Sequence, residues 1–335
     1  MPKPLISIIV PIYNVEQYLA QCLKSIELQS CHDFVVLLVN DGSTDTSEDI
    51  AKQFVARNPN KFQLFNKING GLSDARNFAI DKVTTEYMIF LDSDDYLTPD
   101  TIEVLSNSIK TSSADILCFG MVEVTEKGKF TRNIPPASIK HSPTNLMESP
   151  NLLTTALPNA CNKLIKTNLF TDNNLQFPKG LWYEDLATIP LLFSKSKKIE
   201  FIENNLYLYR NREGSITQTI SPKIMDMLNV LNIINTYFHK KDINIELQRA
   251  LTTLTVNMLM KTMVRIASSS DKAQQKNMQT QLKQLLKDNL TKPCHSIIGC
   301  DSKAIYKLIN LAVLYGFNRP VITFINLCQK YGSLR

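Results

Sequence analysis

Two groups of acidic side chains in this 335-residue chain stand next to an apolar segment, and the first is the run Asp92-Ser93-Asp94-Asp95. It directly follows an apolar segment, Tyr87 to Leu91. Three carboxylates in four residues repel one another, and a cation would relieve that repulsion. Hard oxygen donors with few soft ligands nearby favour Mg²⁺ or Mn²⁺. We therefore expect a divalent metal at this run, and the alternative is an acidic turn that caps the helix after Thr98.

The second acidic site is the pair Glu184-Asp185, which opens an apolar helical pattern from Leu186 to Phe193. Carboxylates in the first turn of a helix interact favourably with the helix dipole, and alone this pair would need no other explanation. A positioned carboxylate can also act as a general base. The choice between the two interpretations depends on the rest of the chain.

The elements that position the first acidic run have the pattern of an open α/β sheet. Continuous apolar runs at Leu5 to Val10 and Phe34 to Val39 are typical of strands buried on both faces of a parallel sheet. Between and after them, Glu16 to Gln29 and Ser47 to Arg57 have apolar residues at helical spacing. This βαβα order predicts an α/β fold with a mostly parallel sheet flanked by helices.

The pattern continues with a helix at Gly71 to Val83 and a strand at Tyr87 to Leu91. Ligands bind open α/β sheets at the carboxyl ends of the strands, where this strand delivers its carboxylates. Thr98-Pro99 predicts the start of a helix, and Asp115 to Val124 predicts another strand. The segment Lys127 to Ser149 is rich in Pro, Ser, Thr and Asn, and we expect a loop or lid there.

The chain after Ile220 has a different character, with little glycine and four segments of helical periodicity. We predict a catalytic domain over residues 1–220 and an all-helical domain over 221–335. From Ile220 onward the chain has 16 Lys and Arg against 6 Asp and Glu, a net charge of +10, whereas the preceding residues have 21 against 25, a net charge of −4. The helical segments are Ile224 to Phe238, Ile243 to Ile266, Gln274 to Leu290 and Lys303 to Phe317.

Composition excludes several classes of protein. With 44% hydrophobic and 20% charged residues, the chain has the balance of a globular protein and not of a disordered one. It has no signal-peptide pattern and no apolar run of roughly 18 residues, so we expect a cytoplasmic protein. The seven cysteines form no C-x-x-C pair, and a basic stripe with interleaved aromatics is missing, which argues against nucleic-acid binding.

Five motifs, in order, resemble those of the family 2 glycosyltransferases of the GT-A fold, of the bacterial cell-surface polysaccharide type. The resemblance covers roughly residues 5–215. It implies a Rossmann-like GT-A domain that binds a nucleotide sugar, with the helical domain appended. The motifs are Ser7-Ile8-Ile9-Val10-Pro11-Ile12-Tyr13-Asn14, Val39-Asn40-Asp41-Gly42-Ser43-Thr44-Asp45, Asn69-Gly70-Gly71-Leu72-Ser73-Asp74-Ala75-Arg76-Asn77, Asp92-Ser93-Asp94-Asp95 and Trp182-Tyr183-Glu184-Asp185.

The resemblance assigns donor-binding roles to four residues. It implies that Pro11 and Tyr13 contact the nucleobase, Asp41 accepts from a base N–H, and Arg76 lies near the diphosphate. Aromatic stacking, a carboxylate acceptor and a guanidinium suit these roles. Considered singly, Asp41 followed by Gly42 could also be a plain turn and Arg76 a solvated helix charge.

The resemblance also assigns the chemistry. Asp92-Ser93-Asp94 matches the D-x-D motif, in which Asp94 would bind Mn²⁺ or Mg²⁺ on the diphosphate and Asp92 would lie near the ribose or the metal's waters. Asp185 would be the general base, and Glu184 would line the site. The implied reaction is an inverting transfer of a hexose or N-acetylhexosamine from a UDP-sugar to a glycan or lipid-linked acceptor.

Two further motifs are expected near the site. Asn162-Lys163-Leu164 resembles an element that lines it, where Asn162 and Lys163 could contact an acceptor, as could Trp182. The segment Tyr209 to Ile216 resembles a loop that closes near the donor phosphates, where Arg212 would neutralise charge. Many relatives have a histidine at or beside the position of Arg212.

Two other functions and two partners stay open at this stage. One alternative is a glycan- or nucleotide-binding module without catalysis. The other is a sugar-nucleotide nucleotidyltransferase, although the glycine-rich phosphate loop of such enzymes is missing after the first strand. The basic helical domain could bind the acceptor, bind the inner face of the cell membrane weakly, or mediate homo-oligomerisation, with Lys276, Lys283 and Lys287 among its cations.

Overall fold

The computed structural model describes residues 4–137, 142–212, 221–267, 276–277, 280–281, 284, 301–304 and 306–308. The chain divides into two compact units. The first comprises Met1–Gly180 and Glu184–Ser215, and the second comprises Leu181–Tyr183 and Ile216–Arg335. The division therefore falls after residue 215, five residues before the predicted boundary. The three residues just before Glu184 also group with the second unit.

A nine-stranded sheet forms the centre of the first unit, within the part of the chain that the structure describes. Its strands are β1 (Ile6–Ile12), β2 (Phe34–Asn40), β3 (Phe62–Asn66), β4 (Tyr87–Phe90), β5 (Tyr96–Leu97), β6 (Ile116–Thr125), β7 (Phe130–Ile134), β8 (Lys163–Lys166) and β9 (Ile199–Asn211). Their order is β3-β2-β1-β4-β8-β6-β9-β5, with β7 paired to β6. Strands β3, β2, β1 and β4 are parallel, as the βαβα pattern predicts.

The remaining pairings make the sheet mixed. Strand β8 is antiparallel to β4 and β6, whereas β9 is parallel to β6. Strand β5 pairs antiparallel with β9, which brings the residues just after Asp92-Ser93-Asp94-Asp95 against the end of β9. The sheet therefore brings the acidic run close to Arg210, near the end of β9, and to Arg212, which directly follows β9.

The core explains why the apolar runs became central strands. All seven residues of β1 are buried, because β2 and β4 flank it and its side chains belong to a hydrophobic core that includes residues of α1. Pro11 lies beyond the last β1 residue that pairs with β4, Ile9, so its missing N–H costs no bond to that strand. The helices of the first unit are α1 (Glu16–Glu27), α2 (Ser47–Arg57), α3 (Leu72–Ile80), α4 (Thr101–Ser112), α5 (Leu152–Thr155), α6 (Asn168–Thr171) and α7 (Glu184–Lys195).

Several elements differ from the sequence prediction. Strands β3 and β9 were not predicted, because β3 is short and β9 interrupts its apolar residues with Glu203-Asn204-Asn205. Strand β7 lies inside the segment predicted as a loop or lid. The helix predicted from Thr98 begins at Thr101, since Tyr96–Leu97 pairs with β9 and the Thr98 N–H donates to Leu206.

The described part of the second unit is helical. A 3-10 turn at Pro222–Met225 leads into α8 (Asp226–His239), and α9 (Ile245–Ala267) follows. These match two of the predicted helices. The helices predicted at Gln274 to Leu290 and Lys303 to Phe317, with Lys283 and Lys287, lie outside the described residues apart from isolated positions. No helix among the described residues is long and apolar enough to cross a membrane.

Candidate active site

A single buried arginine joins the two acidic sites that the sequence places 92 residues apart. Arg76, on α3, is 1% exposed. Its Nη2 donates to Asp92 Oδ1 at 2.8 Å, and its Nη1 donates to Glu184 Oε1 at 2.9 Å and to Asp185 Oδ1 at 2.6 Å. Asp92, predicted to bind the donor, and Asp185, the predicted base, therefore share one guanidinium.

The surroundings of Arg76 explain how a buried cation is tolerated there. Its guanidinium lies over the rings of Phe90 and Phe177, 5.7 and 5.3 Å from their centroids. Burial acts to lower the pKa of Arg76, but the three carboxylates outweigh it and raise the pKa well above its ordinary value. One cation against three carboxylates leaves this cluster with excess negative charge. Its Nε is buried with no hydrogen-bond partner.

Asp185 is held on both carboxylate oxygens and still reaches solvent. Its Oδ1 accepts a hydrogen bond from Arg76 Nη1, and its Oδ2 accepts from the Ala160 backbone N–H at 2.9 Å. The side chain is 19% exposed, and each oxygen has a second lone pair that can accept a proton. Burial raises the pKa of Asp185, and the Arg76 charge opposes that rise. A carboxylate with a raised pKa, accessible and fixed in place, has the properties of a general base.

Glu184 lies beside Asp185 in the sequence, and its pKa is also raised. Burial, followed by repulsion from Asp185, raises the pKa of Glu184 to about 7. Its side chain is 13% exposed. The first turn of α7 thus presents two carboxylates, of which Asp185 has the additional backbone contact and the shorter bond to Arg76.

Asn162 and Lys163 support the loop behind Asp185. Both are fully buried at the start of β8. The Lys163 ammonium donates to the carbonyl oxygens of Leu157 and Asn159 and to Asn162 Oδ1, at 2.6 to 2.7 Å, which uses its three protons. Asn162 Nδ2 donates to the Phe119 carbonyl at 3.0 Å. These polar groups are used inside the protein, so the two residues fix the 157–160 backbone that binds Asp185, and contact with an acceptor stays a prediction.

The shape of the acidic turn after β4 is set by Asp95 and Tyr207. The Tyr207 hydroxyl donates to Asp95 Oδ2 at 2.6 Å and accepts from the Asp92 backbone N–H at 3.2 Å. Asp95 Oδ1 accepts from the Arg210 backbone N–H at 2.7 Å. Burial, then repulsion from Asp94 and Asp92, raises the pKa of Asp95 well above its ordinary value. Asp95 is therefore a structural member of the run, whereas Asp92 and Asp94 remain partly exposed.

Asp94 faces the end of β9. Arg212 Nε donates to Asp94 Oδ2 at 2.6 Å, and the Arg212 guanidinium lies over the ring of Tyr18. Arg210, which is buried, donates from Nε to the Asp94 backbone carbonyl at 2.8 Å and from Nη2 to Gln21 Oε1 at 2.7 Å. Arg212 thus lies beside Asp94, and its role at the donor phosphates stays a prediction. The residues after Arg212 in the expected closing loop, 213–216, are outside the described part.

The carboxylates of Asp92 and Asp94 suit a hard cation, although they would not hold it alone. Their side chains are 29% and 22% exposed. Among the described residues, no group of three or more His, Cys, Asp or Glu is arranged to hold a metal ion. Mg²⁺ is usually held by one or two carboxylates together with substrate phosphates and water, and these residues fit that pattern. A cation at Asp94 would have to share or replace the Arg212 contact.

The predicted nucleotide-binding end is built around Asp41. Its Oδ1 accepts from Lys67 Nζ at 2.5 Å and from the Gly70 N–H at 2.9 Å, while Oδ2 accepts from the Gly71 N–H at 2.8 Å. Asp41 thus fixes the glycine loop before α3. Gly42, at φ 72°, allows this packing, because a Cβ there would lie 3.0 Å from the Asn69 backbone nitrogen. A bond from Asp41 to a base N–H would use the lone pair that Oδ2 retains, and it stays a prediction.

The other predicted donor and acceptor residues have distinct environments. Tyr13 is 50% exposed at the end of β1, which leaves its ring accessible for stacking, whereas Pro11 is buried. Asn14 Oδ1 accepts from the Thr44 N–H at 2.8 Å and so ties the two strand ends together. Trp182 groups with the second unit, where its backbone N–H donates to Asp226 Oδ2. Its role as a residue that lines the active site stays a prediction.

Sequence reasoning missed four residues that shape the site: Lys67, Ala160, Tyr207 and Arg210. Ala160 acts through its backbone N–H, which leaves no signature in a side-chain pattern. Tyr207 and Arg210 lie on β9, which was not predicted as a strand, so their positions beside the acidic turn could not be inferred from the sequence. Lys67 directly follows β3, a strand too short to be predicted.

Comparison with known families gives a match at the N-terminal part of the chain. Residues 7–166 match the family model described as glycosyl transferase family 2. The chain is 33% identical over 223 residues to glycosyltransferase GlyG of Streptococcus pneumoniae serotype 4. The aligned residues cover 64% of this chain and 73% of GlyG. It is 34% identical over 231 residues to glycosyltransferase GlyA of the same organism, covering 67% of this chain but only 33% of GlyA.

Solved structures show the same fold over nearly the whole chain. The crystal structure of Staphylococcus aureus TarS residues 1–349 in complex with UDP-GlcNAc superposes with a TM-score of 0.79 at 22% identity, covering 99% of this chain and 93% of that one. At 22% identity, the similarity to TarS is evidence about the fold alone. The superposition confirms the predicted GT-A architecture with a helical C-terminal region.

Proposed function

The chain belongs to glycosyl transferase family 2, and we propose that it is an inverting enzyme that moves a hexose or N-acetylhexosamine from a UDP-sugar to a glycan or lipid-linked oligosaccharide hydroxyl. The uridine donor is supported by the TarS structures, which were solved with UDP-GlcNAc and with UDP. The acceptor class is supported by relatives such as the minor teichoic acid biosynthesis protein GgaB of Bacillus subtilis, which is 30% identical over 210 residues.

The observation that carries the proposal is the arrangement of Asp185. Its carboxylate is anchored by Arg76 and by the Ala160 N–H, is accessible, and has a raised pKa. Arg76 also binds Asp92, so the proposed base lies across one guanidinium from the D-x-D turn where a diphosphate would bind. In the proposal, the acceptor hydroxyl would lie at Asp185 and the leaving diphosphate at the D-x-D turn.

In the proposed reaction, Asp185 takes the proton of the acceptor hydroxyl. The hydroxyl oxygen forms its bond to the anomeric carbon while the bond from that carbon to the diphosphate oxygen breaks on the opposite face. Configuration therefore inverts in one displacement, and UDP leaves with the bonding electron pair. The transition state has oxocarbenium character, and charge develops on the leaving diphosphate.

The phosphate end of the site would stabilise that charge. We assign Asp94 as the ligand of Mn²⁺ or Mg²⁺, with Asp92 nearby. A divalent cation there would neutralise developing negative charge on the diphosphate oxygens. In the structure Arg212 pairs with Asp94. If a metal ion binds the Asp94 carboxylate, the Arg212 guanidinium would be released to bind a phosphate of the donor.

The deciding experiment is a panel of nucleotide sugars tested for donor hydrolysis and transfer with Mn²⁺, Mg²⁺ or EDTA. We expect turnover of at least one UDP-sugar, and Asp185→Asn should lower it by about 10² to 10⁴, the usual cost of losing a general base. Glu184→Gln should cost less, and Asp172→Asn, an exposed carboxylate on the same unit, serves as the control.

Two outcomes would contradict the proposal. If Asp185→Asn retains near wild-type transfer and Glu184→Gln does not, the base is Glu184. If UDP binds but no sugar donor is turned over under any metal condition, the chain is a nucleotide-binding module and not a transferase.

A further inference from the structure

Lys163 is a buried cation in the same compact unit as the proposed base. Its three hydrogen bonds go to uncharged oxygens, which are the carbonyl groups of Leu157 and Asn159 and the side-chain amide of Asn162. A buried charge is costly, and neutral acceptors offset that cost only in part. A neutral amide could donate to two of the same oxygens, so these bonds alone do not explain the positive charge.

One peptide group connects Lys163 to Asp185. The carbonyl oxygen of Asn159 and the N–H of Ala160 belong to the same planar peptide group. Lys163 Nζ donates to that oxygen at 2.7 Å, and that N–H donates to Asp185 Oδ2 at 2.9 Å. Because the group is rigid, a rotation that moves the N–H away from Asp185 also moves the oxygen away from Lys163. The ammonium at one end and the carboxylate at the other polarise the peptide in the same direction, which strengthens both bonds.

Lys163 is itself held by the sheet and by the helix that carries the base. The adjacent residue Asn162 pairs with the backbone of Phe119 on β6, since its Nδ2 donates to the Phe119 carbonyl at 3.0 Å and its own carbonyl accepts the Phe119 N–H at 3.1 Å. The Lys163 ammonium also lies 5.9 Å from the ring centroid of Phe193, on α7. It therefore contacts both the loop before β8 and the helix whose first turn holds Asp185.

The charge of Lys163 also acts on the Asp185 carboxylate. Burial raises the pKa of Asp185, and the Arg76 charge, the Ala160 N–H and the Lys163 charge each oppose that rise. Burial lowers the pKa of Lys163, and the Asp185 charge is among the groups that act against this. The other titratable groups that interact with Asp185 are Asp92 after β4, Glu184 on α7 and the Cys161 thiol before β8. Loss of the Lys163 charge should therefore raise the pKa of Asp185 further.

We infer that Lys163 is a positioning residue for the transfer reaction, acting through the peptide group between Asn159 and Ala160 to orient the Asp185 carboxylate. The inference rests on the proposed function, since it takes Asp185 as the base. It assigns Lys163 a part in catalysis that needs no contact with donor or acceptor. A small displacement of a catalytic group is costly in rate, so turnover should fall while donor binding is kept.

The test uses the full chain and separates the two effects of the ammonium. Lys163→Met removes the charge and the donors, whereas Lys163→Gln removes the charge but keeps an amide that can donate two hydrogen bonds. We expect Lys163→Met to lower kcat between about tenfold and a hundredfold, and Lys163→Gln to lower it less. In both variants the acid limb of the pH profile of kcat/KM should move to higher pH, because the base must be deprotonated to act. The Kd for UDP should stay within about twofold of wild type.

Ala160→Pro tests the same connection from its other end, and it decides the matter if the Lys163 variants do not fold. Proline has no N–H to donate, so this variant should lower kcat and move the acid limb in the same direction with Lys163 unchanged. Lys166→Met is the matched control, because Lys166 lies on β8 like Lys163 but pairs with Asp115 at 3.4 Å. It should keep the wild-type kcat and the wild-type acid limb.

The inference is overturned if Lys163→Met or Ala160→Pro binds UDP like wild type and keeps its kcat and acid limb, or if Lys166→Met gives equal losses. Equal losses of kcat in Lys163→Met and Lys163→Gln would leave no role for the donated bonds and would overturn it as well. Asp185→Asn, measured in parallel, distinguishes these results from a failure of the proposed function, which would leave that variant as active as wild type.

Discussion

Replacing Arg76 with methionine would leave three carboxylates without the buried cation that they share. Arg76 is 1% exposed and binds Asp92, Glu184 and Asp185 at 2.6 to 2.9 Å. Removing one partner of a buried ion pair costs about 3 to 5 kcal/mol, because the remaining charge stays desolvated. We expect Arg76→Met to lower the free energy of unfolding by an amount in that range near neutral pH.

The loss should depend on pH, and its direction follows from the raised carboxylate pKa values. The unfolded chain releases the Glu184 proton near its ordinary pKa of 4.5, whereas the folded chain holds it until about pH 7. Between these values the folded state binds more protons, so the free energy of unfolding falls as pH rises. Arg76 acts to lower the pKa of both Glu184 and Asp185. Without it both rise further, and the variant should lose more stability than wild type as pH increases.

The assay is urea unfolding followed by circular dichroism, at about pH 5 and about pH 8. Arg76→Lys should give an intermediate loss, because an ammonium keeps the charge but lacks the planar fork that reaches three carboxylates. Arg249→Met is the control, since Arg249 pairs with Asp301 through side chains that are 55% and 63% exposed, and such pairs contribute about 0 to 1 kcal/mol. A loss for Arg76→Met no larger than the control, or an equal loss at both pH values, would refute the reasoning.

Three further predictions concern ligands. Asp94→Ala should abolish Mn²⁺ binding in the presence of UDP, measured by calorimetry, with the thermal midpoint near that of wild type; unchanged Mn²⁺ affinity would remove Asp94 as the ligand. Asp41→Asn should weaken UDP binding by about tenfold or more, because it disturbs charge-assisted bonds to Lys67 and the glycine loop; an unaltered Kd would contradict this. The net charge of +10 after residue 219 predicts salt-sensitive binding to anionic vesicles, and equal co-sedimentation with neutral vesicles would exclude an electrostatic cause.

Much of the fold could be predicted because it is encoded in local patterns. The apolar runs that became β1, β2 and β4 are continuous, and the helices between them have regular spacing. Strands whose pattern is short or interrupted, such as β3 and β9, could not be found in this way, because pairing with neighbours decides them. The helix predicted from Thr98-Pro99 begins only at Thr101, because the backbone contact with β9 continues past β5 through a bond from the Thr98 N–H to the Leu206 carbonyl.

The sequence by itself determined which acids are present and that Asp92-Ser93-Asp94-Asp95 would lie at the carboxyl end of a strand, where open α/β sheets bind ligands. Only the tertiary structure decided their partners. The contacts of Arg76 with Asp92, Glu184 and Asp185 have no local signature, and its place near a diphosphate stays a prediction. Asn162 and Lys163 are fully buried, and their contact with an acceptor also stays a prediction. The reason is physical: burial removes water as a partner, so each buried charge must find its opposite through space, at sequence distances that no local pattern records.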